Sequence, residues 1–453
     1  MKEYTDEYLQ HIADIIAGDD RENAREELAK LHPADIAELY SHLDLRQSEY
    51  LFNLLDEEKA ADVLMELDED DRRKLLSDMP AEEIAKQIDH LDTDDAVDLI
   101  QQLDEHERDE ILSHIDDVEQ AGDIIDLLKY DEDTAGGLMG TEMIVVNENW
   151  SMPECIKQMR LQAEDMDEIY YVYVVDNDYK LRGTFPLKKM LTHPSVSKIK
   201  HVMEPDPVCV KADTPIDDVA LDFEKYDLVA MPVVDSIGRL LGRITVDDVM
   251  DQVREASERD YQLASGLSSD VDADDTVIAQ TKARIPWLLV GIASGLLASV
   301  ILGTFENQLQ AVTALALFIP IIGGTGGNVG VQASAIVVQG LANGSLDVKR
   351  FAAQLGKELV IGLLNATIIA AVVFVYNLIT MPEDFAVTLS VALSLFVVVM
   401  FASLLGTVVP LTLEKLHINP ALATGPFIQI SNDIVGLVIY VNIATFCLGL
   451  FGK

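Results

Sequence analysis

Cysteine is scarce in this 453-residue chain: Cys155, Cys209 and Cys447 are the whole set, each far from the others. They supply neither a disulfide framework nor the paired thiolates of a zinc site. Basic residues are scarce too. Against 78 Asp and Glu there are 33 Lys and Arg, a formal net charge of −45. A surface so acidic repels nucleic acid and anionic lipid, and attracts cations. The opening residues MKEYTDEYLQ lack the basic and apolar regions of a secretory signal, so the soluble part is expected to stay in a reducing cytoplasm. No Ser/His, Cys/His or phosphate-loop constellation stands out, which leaves an enzyme the least supported class.

What charge there is lies almost wholly in one half. From Thr281 onward seven basic residues balance seven acids, leaving 26 and 71 in residues 1–280. The neutral half holds five apolar segments at about 285–302, 311–338, 356–378, 386–411 and 420–450. Each approaches or exceeds the ~20 residues that a helix needs to cross a bilayer. Lys282 and Arg284 precede the first, Lys349 and Arg350 follow the second, and Lys415 follows the fourth. The connections near Glu306 and Glu383-Asp384 have no basic residue. This alternation puts the soluble half inside and Lys453 outside a bacterial-type inner or plasma membrane. Trp287, Tyr376 and Tyr440 are expected near membrane interfaces.

The fifth segment carries the sharpest signal. Asp433 is the one charged residue in PALATGPFIQISNDIVGLVIYVNIATF. An acid at bilayer depth costs roughly 2.5–3.5 kcal/mol or more, and usually faces a bundle interior or a wet pathway. Gly425-Pro426, just ahead, is expected to open the helix and expose carbonyl oxygens toward a cavity. A carboxylate beside carbonyls suits hard cations such as Mg²⁺ or Ca²⁺. The competing reading is a protonated acid hydrogen-bonded for packing. In the second segment, PIIGGTGGNVGVQAS predicts a broken or very closely packed helix. Asn328 and Gln332, four apart, then either hydrogen-bond across helices or face the pathway.

The soluble half divides by period. Residues 1–135 read as helices, with HPADIAELYSHLD, DEEKAADVLMELD, PAEEIAKQIDHLD and TDDAVDLIQQLD as imperfect copies of one pattern; stacked, they predict a small α-superhelix. After YDEDTAGGLMG, β-branched and aromatic runs alternate with helical ones in two similar units, 136–200 and 201–246. Each carries VVD and then a Gly-turn strand, and the two look like a tandem pair of CBS domains. That resemblance implies an adenine-nucleotide site, with ATP as a candidate ligand. The second unit keeps Thr245 and Asp248 on its phosphate side, where the first has Pro186 and Lys189. A connecting helix and linker fill 247–280. Spacings of four, four and three put Asp247, Asp251, Glu255 and Glu258 on one face. They are either a solvated face partnered by Arg254 and Arg259, or a row of divalent-cation sites.

The order of these parts resembles the MgtE family of Mg²⁺ channels, over essentially the whole chain. The motifs are the acidic helical repeat, YDEDTAGGLM, the CBS pair, the acidic helix, PIIGGTGGNVGVQ and PALATGPF through Asp433. The fold implied is multidomain: an all-α superhelical N-terminal domain, α+β tandem CBS domains, and a five-helix transmembrane pore domain over 281–453. The resemblance further implies a homodimer in lipid, binding Mg²⁺ and no nucleic acid, with Mg²⁺ as both substrate and regulator. Asp433 falls on the family's pore aspartate, set to hold Mg²⁺ through water. Cytosolic Mg²⁺ is implied to shut the pore by bridging Asp94, Asp98, Asp217, Asp227, Asp248 and Asp251, together with Glu255 and Glu258; Asp247 joins them in the acidic row. Two alternatives stay open: a secondary Mg²⁺ transporter coupled to Na⁺ or H⁺, and a membrane-anchored sensor that conducts nothing.

Overall fold

Helices of two or three turns are marginal alone, so the N-terminal stretch must bury a shared face. The computed structural model describes residues 15, 21–40, 43, 45–77, 79–163, 166, 169–192, 197–269, 271–272, 275–305, 313–346 and 351–451. It divides into two compact units, 1–253 and 254–453. The first opens with α1 (Arg21–Leu28), α2 (Pro33–Tyr40), α3 (Leu45–Phe52), α4 (Glu57–Glu66), α5 (Glu69–Ser77), α6 (Ala81–Ile88), α7 (Thr93–Gln101), α8 (Glu105–Leu112) and α9 (Val118–Leu127). The four sequence copies fall on α2, α4, α6 and α7. Packing pairs α2 with α4, α4 with α6, α6 with α8 and α7 with α9, the neighbour-on-neighbour stacking of a solenoid. Ile36, Leu64, Ile88, Leu99 and Ile100 are fully buried along it. Asp56 starts α4 by accepting the Lys59 N–H at 3.0 Å, the usual remedy for unpaired first-turn donors.

Two β-α-β-β repeats follow. In the first, β1 (Ile144–Asn147), α10 (Met152–Gln162), β2 (Val172–Val175), β3 (Leu181–Phe185) and β4 (Glu204–Pro205) form a sheet in the order β1-β2-β3-β4. β1 and β2 are parallel; the other pairs are antiparallel. Because β4 pairs with β3, a boundary at residue 200 cuts through this sheet. A short α11 (Leu187–Thr192) follows β3. The second repeat has β5 (Val210–Lys211), α12 (Ile216–Tyr226), β6 (Ala230–Val234) and β7 (Leu240–Thr245), with β5 parallel and β7 antiparallel to β6.

The motif TAGGLMG is laid along this second sheet. Ala135 N–H donates to Thr214 O (2.8 Å), Gly136 N–H to Ala212 O (2.9 Å), and Gly140 and Arg243 exchange backbone bonds of 2.9 Å. A Cβ on Gly242 would collide with Gly140 O, so glycine is what lets the backbones meet. Leu138 and Met139 thereby join Val219, Phe223, Met231 and Ile244 in one core with the helical array.

α13 (Val246–Ser265) runs across the division at residue 253. The second unit continues with α14 (Val277–Thr304), α15 (Ile319–Ala342), α16 (Phe351–Thr380), α17 (Phe385–Lys415) and α18 (Gly425–Phe451), five helices long and apolar enough to cross a membrane. α14, α16 and α17 overrun the apolar segments that predicted them at both ends, whereas α15 and α18 start eight and five residues later than their segments and end slightly beyond them. α17 is central, packing on α15, α16 and α18. α15 is unbroken, with Pro320 in its first turn, where no N–H is needed. Of the two readings of its glycines, close packing holds: a Cβ on Gly326 would lie 2.8 Å from Val398 Cγ1, and Gly406 abuts Gly330 O. Tyr440 is fully buried and donates its hydroxyl to Leu315 O at 2.7 Å, so it ties α18 to the start of the second span. Glu306, Lys349, Arg350 and Lys453 lie outside the described residues.

Candidate functional site

In the first unit, the acids gather at the start of α7. Asp92 occupies its N-cap position and Asp94 and Asp95 its first turn. Thr93, 1% exposed, donates its N–H to Glu142 Oε1 and its hydroxyl to Glu142 Oε2, both at 3.1 Å. A carboxylate from a distant loop thus caps the helix, matching its positive end. Arg243 of β7 pairs with Asp92 Oδ2 at 3.1 Å and donates Nε–H to Glu142 O. Asp92, Asp94 and Glu142 each offer an oxygen within 4.8 Å of the others, the one such grouping among the described residues. A Cβ on Gly140 would lie 2.7 Å from Asp94 Oδ2, so this glycine keeps the carboxylate in place.

Crowding raises proton affinity here. Burial, then the charges of Asp248, Asp95, Glu142 and Asp92, hold Asp94 well above the carboxylate range. Burial, Asp248, Asp98 and Asp92 push Asp95 up to about 7, with Arg72 opposing. Asp248, in the first turn of α13, is raised by burial and by Asp247, and eased by Thr245 and Arg243. It accepts the Thr245 hydroxyl, and Thr245 is only 5% exposed. The residue pair expected to hold a nucleotide is therefore engaged internally, within reach of the field of Asp94.

Linkage gives a sign. A carboxyl whose folded pKa is raised binds more protons folded than unfolded between the two values, so stability falls as pH rises through that window. Without divalent ions, the unfolding midpoint of the first unit, followed by Trp150 fluorescence, is expected to drop from about pH 4 to about pH 7; saturating Mg²⁺ should flatten the slope. An equal slope in both conditions would count against cation binding at the seam. Arg243→Met removes the buried partner of a half-exposed Asp92 and frees the Glu142 carbonyl. The expected cost is about 1–3 kcal/mol, readable by urea titration; a change under 0.5 kcal/mol would show that the pair is incidental.

The other expected acids are more dispersed. Asp98, Asp217, Asp227, Asp247 and Asp251 are exposed, with Asp227 the left-handed C-cap of α12 (φ 51°). Glu255 and Glu258 are exposed on α13 beyond residue 253, in the second unit. Sequence reasoning missed Asp92, Asp95, Glu142 and Arg243; the available signal was Glu142 two residues after a glycine that must approach a carboxylate.

In the second unit, Asp433 lies partly buried on α18 against the glycine face of α15. Cβ atoms on Gly323 and Gly327 would sit 3.2 and 3.8 Å from its Oδ1. Asn328 and Gln332 are exposed on α15, and neither makes a cross-helix hydrogen bond among the described residues. Gly425-Pro426 needs correction. α18 begins there, after a 3₁₀ turn at Pro420–Ala423, so Gly425 offers a first-turn N–H and Pro426, which has none, suits the helix start, where no carbonyl is freed. Its glycine serves close approach: a Cβ would collide with Ala264 O at the end of α13. Nearby, Asn419 Nδ2 donates to Asp260 Oδ1 at 2.8 Å, and Gly266 (φ +87°) abuts Pro426. A second acid, Glu358 on α16, is buried and accepts the Ser403 hydroxyl of α17.

Comparison with known proteins agrees with this division. A family model described as a divalent cation transporter (MgtE) matches residues 319–443, that of the MgtE intracellular N domain matches 31–133, and the CBS domain matches 135–195 and 199–255. Magnesium transporter MgtE of Thermus thermophilus is 36% identical over 334 residues, 71% of this chain and 72% of that one. The Enterococcus faecalis magnesium transporter MgtE is 30% identical over 339 residues, 74% and 73%. Among solved structures, the cytosolic domain of the Mg²⁺ channel MgtE in complex with ATP matches with TM-score 0.51 and 31% identity, covering 54% of this chain and 99% of that one. The soluble part of a magnesium transporter matches with TM-score 0.50 and 29% identity, covering 55% and 98%.

Proposed function

The chain belongs to the MgtE family of divalent cation transporters, and on that premise we propose that it is a Mg²⁺-selective channel for uptake across the plasma membrane, shut by cytosolic Mg²⁺. The observation that carries this is Asp433, the one charge on a 27-residue apolar helix, seated where two glycines leave room. Mg²⁺ sheds water reluctantly, so a conducting site should hold the hydrated ion through its waters. A roomy, glycine-walled carboxylate suits that task. In a two-fold homodimer two copies of Asp433 would face one axis, with Asn328 and Gln332 lining or bracing the pathway.

For closure, the seam at Asp92, Asp94, Asp95, Glu142 and Asp248 is the proposed sensor. Its carboxylates resist being ionised together, and a divalent cation relieves that repulsion. Asp98, Asp217, Asp227, Asp247 and Asp251 would supply further ligands within the first unit, and Glu255 and Glu258 an acidic face on α13 in the second. α13 carries Asp248 in its first turn and ends where Asp260 and Ala264 meet the entry to α18, so its position can be transmitted to the helix that bears Asp433. Closing must then tighten Mg²⁺ binding as much as Mg²⁺ favours closing. ATP, held by the cytosolic domain of a relative, is the proposed second ligand of the CBS pair.

Glu358 favours a second reading, a transporter coupled to H⁺ or Na⁺, because buried intramembrane acids also serve proton relays. Mg²⁺ uptake into proteoliposomes with all Na⁺ and proton gradients collapsed separates the two. Sustained uptake, with unitary current steps in patches, is expected of the channel; uptake that vanishes with either gradient would replace it with coupled transport.

A further inference from the structure

Asn432 precedes Asp433 and is 1% exposed, yet neither its Oδ1 nor its Nδ2 has a hydrogen-bond partner among the described residues. A buried carboxamide within a membrane bundle is retained for a reason that packing alone does not supply. Its place is specific. The Nδ2 lies where a Cβ on Gly330 would be, with Ile428 Cγ2 beside it. Gly323, Gly327 and Gly330 are spaced four and three along α15, which aligns them on one helix face. Asp433 seats on the first two and Asn432 on the third. The step from Gly327 to Gly330 is about 4.5 Å along the axis, a distance that one water spans. Other buried polar side chains without partners in this unit, Asn377, Thr388 and Ser394, belong to α16 and α17.

We propose that Asn432 is a specificity-determining residue of the cation site, its carboxamide binding a water of the hydrated divalent ion that Asp433 attracts. This rests on the pore reading of Asp433. The two residues divide the work: the carboxylate supplies charge, and the amide, wedged by Gly330, fixes where a hydration water can sit. A fixed outer shell favours the ion that keeps its waters in a regular octahedron, Mg²⁺, over larger Ca²⁺ with its flexible shell. An apolar side chain of similar volume should preserve the packing and lose the water.

The test uses purified full-length protein in liposomes, with uptake of Mg²⁺ and of Ca²⁺ measured for wild type, Asn432→Leu, Asn432→Ala and Asp433→Asn. Asn432→Leu is expected to raise half-saturating Mg²⁺ at least fivefold and to lower the preference for Mg²⁺ over Ca²⁺ at least fivefold. Asn432→Ala, which leaves space for water, should fall between. If a reconstituted variant keeps the wild-type half-saturation and preference, or loses only maximal rate, Asn432 is a packing residue and the proposal is overturned. Failure of both variants to reconstitute would likewise make Asn432 a packing residue and overturn it. Normal transport by Asp433→Asn would remove the pore reading itself; a dead Asp433→Asn beside wild-type-like Asn432 variants removes this inference alone.

Discussion

Asp433→Asn is expected to lower Mg²⁺ uptake into proteoliposomes by at least about 100-fold while the protein still reconstitutes. The amide keeps the shape and removes the charge. At bilayer depth little water screens the carboxylate, and losing its pull on a divalent ion by even about 3 kcal/mol gives two factors of ten. The competing account, a neutral acid held for packing, makes the opposite forecast, because Asn also hydrogen-bonds and fills the same volume. Uptake near the wild-type rate would therefore sink the pore assignment. Gly323 supplies an independent handle, since a Cβ there would press on Asp433 Oδ1 at 3.2 Å. The carboxylate is where α15 leaves space for it, not where a random helix face would put it.

The second large effect concerns closure. On the proposed channel reading, Asp94→Asn combined with Asp248→Asn is expected to sustain conduction at internal Mg²⁺ that would close the wild type, with the closing midpoint raised at least about tenfold. Two effects compete. Neutralising two acids relieves repulsion at the seam, which alone would favour the docked state. It also deletes Asp94 and the carboxylate whose charge acts on it most, Asp248, and with them part of the differential affinity by which Mg²⁺ favours one state over the other. Asp92, Asp95, Asp247 and Glu142 remain, so much of the repulsion persists while two of the five proposed sensor carboxylates are gone. Loss of the bridge should win, within the 5–150-fold range common for such coupling. Patch recordings against internal Mg²⁺ decide it: closure at the wild-type midpoint would remove the seam from the sensor.

The parts of the fold read from local pattern came through in the structure. The four helical copies, the two β-α-β-β repeats and the five apolar helices depend on periodicity and charge within 10–30 residues, and these signals survive without tertiary context. Gly425-Pro426 did not follow its expected role. Glycine and proline adjacent to each other fit a helix start as well as a break, and the deciding facts were Thr424 ending a 3₁₀ turn and Ala264 O pressing on Gly425. The partner of Tyr440 was likewise not legible, because its hydroxyl reaches Leu315 O, 125 residues away in sequence.

From the chain alone one could establish an acidic soluble half, a neutral bundle of five spans and a lone carboxylate near its end, because charge and hydropathy are additive along a sequence. Assembly of the seam was decided only in three dimensions. Glu142 reaches Thr93 across 49 residues and Arg243 reaches Asp92 across 151, and no spacing rule links positions that different elements bring together. The same holds for Asn432 on Gly330: which polar side chain meets which glycine is settled by how helices interlock, where volumes must fit and each buried donor or acceptor must find a partner.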